Sequence, residues 1–207
     1  MKAVKHTRQM RHIMQIARMM CIVVGLAGSL SPAQAANEPV SQVLEESVQI
    51  DGQRLNLNGS GTHIIKRVKI FNIGLYTTKP RNNTPDLLAS PGPVRLKLVM
   101  VKEVDSELMS RRFLADIRSS TTKEERNQLV YQLMALGEGF ARMGDWKVGD
   151  VMTIDWSQGK GTVFRSNNRQ IGETLKDDLT MHAILKIWLG DNVADNKLKR
   201  LLLGDKE

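Results

Sequence analysis

Asn58–Tyr76 reads NGSGTHIIKRVKIFNIGLY, and the chain is best read outward from it. The pair Gly59 and Gly61 permits a tight backbone turn. The run that follows is rich in Ile, Val, Phe and Tyr, which favours a strand. One strand is therefore expected over 62–78, ended by Lys79-Pro80. Gly74 near its end marks a bulge or a close backbone approach.

Upstream, the chain opens with a segment of a different kind. Met1–Arg18 carries Lys2, Lys5, Arg8, Arg11 and Arg18 and no acid. Met19–Leu30, MMCIVVGLAGSL, is a short apolar run, and Ala33-Gln34-Ala35 has the small-residue form of a cleavage site. The three together read as a secretory signal peptide over 1–35, with the cut after Ala35 or Ala36. The run falls well short of the roughly 20 apolar residues that a spanning helix needs. The expected mature protein is then 36–207, periplasmic or secreted from a bacterium, with no stable membrane insertion.

Cleavage would change the charge argument. The whole chain has 30 basic and 22 acidic residues, net +8. Loss of the five basic residues of the leader leaves 25 against 22, or +3. With no interleaving of arginine and aromatic residues, nucleic acid is not an expected partner. Cys21 is the only cysteine, so the mature part would have no disulfide and no thiol nucleophile.

Downstream elements follow from turn and cap signals. Val40–Ile50 reads as a strand, and Asp51-Gly52 as a hairpin turn. Leu55 and Leu57 then alternate on one face. Thr84 is expected to cap a short helix with Pro85 in its first turn. Val94–Lys102 reads as a strand, and Asp105 or Ser106 caps a helix to about Arg118. Thr122-x-x-Glu125 is a capping box opening a helix over Lys123–Met143. Leu129, Leu133, Leu136, Phe140 and Met143 make its apolar stripe. Val151–Trp156, Thr162–Arg165 and Arg169–Thr174 read as strands, with a turn at Asn167-Asn168. Two helices close the chain, from Asp177 or Asp178 to Trp188 and over Ala194–Leu203. The class is α+β: an antiparallel sheet with helices on one face.

Three segments carry a resemblance. They are Leu57–Gly61 with its strand to Tyr76, Gly149–Val151 through Gly159-Lys160-Gly161-Thr162 to Gly172, and Leu185–Asp191 with Leu198–Gly204. In this order they resemble the chalcone isomerase-like family, in its bacterial secreted branch. The resemblance implies an open-faced β-sandwich, a large antiparallel sheet backed by a layer of helices, with a ligand cleft between the two. Plant members cyclise chalcones, whereas other relatives bind fatty acids or act as non-catalytic helpers.

Against that pattern two groups are missing. Where the family has an arginine two residues after the glycine pair, this chain has His63. An imidazole is neutral over much of the range above pH 7, unlike a guanidinium. No tyrosine stands in Val104–Arg112, where catalytic members place one. The expected function is a periplasmic, non-catalytic protein binding a small apolar or fatty-acid-like ligand in the cleft. The alternative is an isomerase of the intramolecular lyase type acting on a phenolic substrate.

The candidate ligand-binding residues are His63, Arg67, Asn72 and Tyr76. Arg67 is expected on the strand face of His63, four residues on, and Asn72 and Tyr76 on the other face. Arg67, Lys69 and Arg54 are candidates for a basic rim, or else for a solvated sheet face. His182 reads as a boundary residue of its helix. No metal is expected, because neither His63 nor His182 has further ligands at a suitable spacing, and no cofactor is expected. Gly59-Ser60-Gly61 lacks the strand-to-helix setting of a nucleophile elbow, and Lys160 reads as a hairpin turn.

Overall fold

The stretch 58–76 folds as two strands. In the computed structural model, which describes residues 43–206, β2 (Gln53–Ile65) turns back on β3 (Val68–Thr77). The turn is Lys66-Arg67, with φ of 47° and 68°, the positive pair that a two-residue hairpin needs to match strand twist. This corrects the single strand expected over 62–78. The expected turn at Gly59 and Gly61 is also corrected. Both lie inside β2, paired with Leu75 and Ile73.

Around this hairpin the chain builds one sheet in sequence order. β1 (Ser47–Ile50) is followed by β2, β3, β4 (Val94–Met100), β5 (Val151–Ser157), β6 (Gly161–Ser166) and β7 (Arg169–Leu175). Each strand pairs antiparallel with its sequence neighbours. The turns at Asp51-Gly52 and Asn167-Asn168 form as expected, all four residues at positive φ. β1 is shorter than the strand expected over 40–50. Residues 40–42 and the expected leader lie outside the described residues.

Helices fill the connections and one face. They are α1 (Thr84–Leu88), α2 (Ser106–Ser120), α3 (Lys123–Gln128), α4 (Val130–Ala141), α5 (Asp178–Leu189) and α6 (Asn196–Leu202). Asn83, not Thr84, caps α1, its side chain accepting from Asp86 N; Thr84 Oγ1 instead donates to Leu189 O at 2.7 Å. Asp105 caps α2 and the Thr122–Glu125 capping box opens α3. The helix expected over 123–143 is broken at Leu129, which is fully buried and serves as the junction of α3 and α4. The Leu129, Leu136 and Phe140 side chains all reach the core.

Strand alternation separates the two sheet faces. Phe71, Ile73, Leu75, Leu96, Leu98, Met152 and Ile154 meet the helices in the main core. On the open face, Leu55, Tyr76 and Ile50 form a smaller cluster with Val48 and Leu57. Beside it Arg95 grips Asp155 through Nε at 2.5 Å and Nη2 at 2.7 Å, and Arg165 Nη1 joins at 2.7 Å. Lys97, 4 % exposed, donates to both Glu45 oxygens at 2.7 and 2.8 Å and to Val43 O at 2.7 Å. The segment before β1 is thereby strapped across the middle of the sheet.

Candidate functional site

The motif Gly59-x-Gly61-x-His63 forms one row along β2. Asn58 is a bulge residue, skipped between the Leu57–Tyr76 and Gly59–Leu75 pairs, and the bulge turns Gly59, Gly61 and His63 toward the helices. The glycines leave space for α6. A Cβ on Gly59 would stand 2.0 Å from Leu201 O, and one on Gly61 would stand 2.6 Å from Leu198 Cδ1. Asn58 fastens the arrangement, donating from Nδ2 to Arg81 O and Leu202 O at 2.8 Å and accepting from Arg81 N at 2.6 Å. The row then delivers His63 beyond the N-terminal end of α6.

His63 pairs with Phe71, and their rings stack with centroids 4.7 Å apart and planes 13° from parallel. Phe71 meets Trp188 edge-on at 6.3 Å, and Phe113 lies 6.3 Å from Trp188. A second bulge, at Ile70, is skipped between the His63–Phe71 and Ile64–Lys69 pairs. It puts Val68, Ile70 and Phe71 on the helix side together and turns Lys69 and Asn72 to the open face.

These residues line a cavity of about 530 Å³ between the sheet and α2. That lies within the range of small-molecule sites, roughly 300–1,000 Å³. Its floor is buried and apolar: Leu98, Met152, Phe113, Phe71 and Trp188. Its mouth opens between the β2–β3 turn and the loop into α2, with Val68 41 % and Leu108 53 % exposed. Lys66 and Lys102 stand at the mouth, with Glu103, Asp105, Arg112 and Asp116.

Electrostatically, the interior is close to uncharged. Burial holds the His63 imidazole below its ordinary value; Asp116 opposes this and Arg112 adds to it. The ring is therefore neutral at pH 7, and its Nδ1 is buried without a hydrogen-bond partner. The Trp188 Nε1 is likewise buried and unpartnered. No tyrosine lines the cavity. Among the described residues no group of three or more His, Cys, Asp or Glu side chains is placed to hold a metal ion.

Of the four candidates, the fold brings only His63 into this cavity. Arg67 lies in the exposed turn, not on the strand face of His63, because the chain reverses there. Asn72 accepts from Thr62 Oγ1 at 2.8 Å on the open face. Tyr76 is fully buried on that same face with Leu55 and Ile50. Burial, and then the Glu45 carboxylate, push its phenol up. Arg54 and Arg67 do not share a rim: Arg54 lies at the start of β2 and Arg67 in the turn beyond its other end, so the length of the strand separates them. His182 is half-buried near Trp156, its ring 6.4 Å from the indole. Lys160 pairs with Asp51 at 3.0 Å in the β5–β6 turn.

Sequence reasoning missed Lys66 and Lys102 as cavity residues. Lys66 is hidden by a turn without Gly or Asn. Lys102 falls at the end of the strand expected over 94–102, whereas β4 stops at Met100. Met109 and Phe113 stand four residues apart on α2, a spacing that marks an apolar helix face but not its second use as a cavity wall.

With a curled antiparallel sheet, helices on one side and the cavity between them, the sequence also matches the family described as chalcone isomerase-like over residues 37–204. The chain belongs to that family. Among solved structures, a fatty-acid binding protein of Arabidopsis thaliana is similar in fold, with a TM-score of 0.60 and 14 % identity over 77 % of this chain and 96 % of that one. No curated protein matches the sequence.

Proposed function

We propose that this chalcone isomerase-like protein is a non-catalytic carrier that holds a small apolar or fatty-acid-like molecule between sheet and helices. The observation that carries the reading is the cavity: apolar and buried at its floor, open at one end, and lined with cations only at its mouth. The fatty-acid binding activity named for the structural neighbour from Arabidopsis thaliana agrees with it.

The carrier is proposed to work outside the cytoplasm, in the periplasm, on the strength of the basic, apolar and small-residue pattern of 1–35. The expressed full chain, recovered from a periplasmic fraction, is expected to begin at Ala36 or Asn37 by intact mass. An intact leader would sink the location while leaving the cavity unaffected.

Extraction of the purified protein with organic solvent, followed by mass spectrometry, tests the carrier itself. A stoichiometric amphiphile with a long apolar part is expected. A folded protein that neither retains nor takes up any such molecule would overturn the reading.

A further inference from the structure

Resting on the cavity being the ligand site, we propose that its ligand lies head-out: an alkyl carboxylate whose anionic head is held at the mouth by Lys66 and Lys102, with the tail on Met152 and Trp188. The two lysines come from different elements, the β2–β3 turn and the loop after β4, and both border the same opening. The acids around them are already engaged. Glu103 pairs with Lys147, Asp116 with Arg112 at 3.1 Å, and Asp105 accepts from Leu108 N at 2.7 Å as the cap of α2. Among the described residues neither Lys66 nor Lys102 takes part in those pairs, so their charge is not spent on those acids.

The floor argues the same way from the other end. A carboxylate buried without a cation or several donors is strongly disfavoured. Here the deep walls offer only the rings of His63 and Trp188 beside hydrocarbon. A methyl-terminated chain meets no such penalty and gains by removal from water. The orientation is therefore set by both ends: hydrocarbon inward, charge outward. Because an ammonium is a point charge on a flexible stem, the pair selects an anion without fixing a planar geometry.

Displacement of the neutral dye Nile red by dodecanoate and by dodecan-1-ol tests this with the tail held constant. Wild type is expected to bind the carboxylate more tightly than the alcohol, by a margin that shrinks with added salt. K66A/K102A is expected to bind dodecanoate about tenfold more weakly, as two exposed ion pairs allow, and the alcohol as before. K123A/K176A, which removes two exposed lysines elsewhere, should keep the wild-type preference. A K66A/K102A protein with undiminished preference for the carboxylate, or a wild type that prefers the alcohol, overturns the head-out orientation but not the cavity as a site. Displacement by neither compound from folded wild type overturns both.

Discussion

Gly59 lies so close to the last turn of α6 that a Cβ on it would stand 2.0 Å from the carbonyl oxygen of Leu201. The neighbour is backbone, and Asn58 ties the same turn down through Leu202 O, so neither side can yield cheaply. Gly59→Ala is expected to cost about 3 kcal/mol, the upper end of overpacking penalties. Gly61→Ala meets side-chain ends instead, Leu198 Cδ1 at 2.6 Å and Leu201 Cδ1 at 3.2 Å, which can rotate, and should cost about 1 kcal/mol. Urea midpoints of the two variants check this, and equal losses would contradict the backbone contact.

The strap over the open face predicts an asymmetry. Lys97 is buried, whereas the Glu45 side chain is 34 % exposed. Glu45→Ala leaves a buried ammonium with only the Val43 carbonyl from that clamp, and is expected to cost about 2–3 kcal/mol, below the 3–5 kcal/mol of a fully buried pair. Lys97→Met leaves a carboxylate that water can reach and fills the site with hydrocarbon. It should cost about 1 kcal/mol or less. A larger loss for Lys97→Met than for Glu45→Ala in chemical unfolding would contradict the strap.

His63 predicts a pH dependence. Burial holds its folded-state value below that of the unfolded chain, so the unfolded state takes the proton first as pH falls. Its contribution is complete above about pH 6.5. It is lost below that, with a limiting slope of about 1.4 kcal/mol per pH unit until the folded ring also protonates. His63→Phe keeps a ring on Phe71 and should flatten the unfolding free energy between pH 7 and 5. An unchanged pH profile would mean that His63 is not shielded from water.

Val68 stands at the mouth, 41 % exposed. Val68→Trp places a large ring there on a strand that tolerates it. Retention of an apolar ligand is expected to fall at least about tenfold, while stability changes by no more than about 0.5 kcal/mol, as for other surface sites. Trp188→Ala acts at the floor instead, and should destabilise by about 3–5 kcal/mol. Thermal melts paired with dye titration separate the two. Full binding by the folded Val68→Trp protein would place the entrance elsewhere.

Much of the sheet was legible because local chemistry names its corners. Asp51-Gly52 and Asn167-Asn168 announce positive φ, and Thr122 with Glu125 announces a helix start. The central hairpin was not legible. Lys66-Arg67 adopts the same backbone as those turns with two long cations inside a run of β-formers, so propensity argues for continuing the strand. That one misread turn also misplaced Arg67. Skipped residues hide a second fact: the bulges at Asn58 and Ile70 reset which residues share a face, and simple alternation does not register them. His63 lines the cavity at the place its spacing from the glycine pair suggests. The two mouth lysines carried no such signal.

The order of pairing in the sheet also bears on how the chain folds. Each strand bonds to its sequence neighbours, so short-range hairpins can close before distant residues find their places. The row Gly59-Gly61 is different: its cover is Leu198–Leu202, near the other end of the sequence. A folding chain can therefore assemble most of its ladder and still leave β2 bare along one side until residues 198–202 dock. Completion waits on that late segment, which keeps the half-built sheet open to whatever machinery handles unfolded chains.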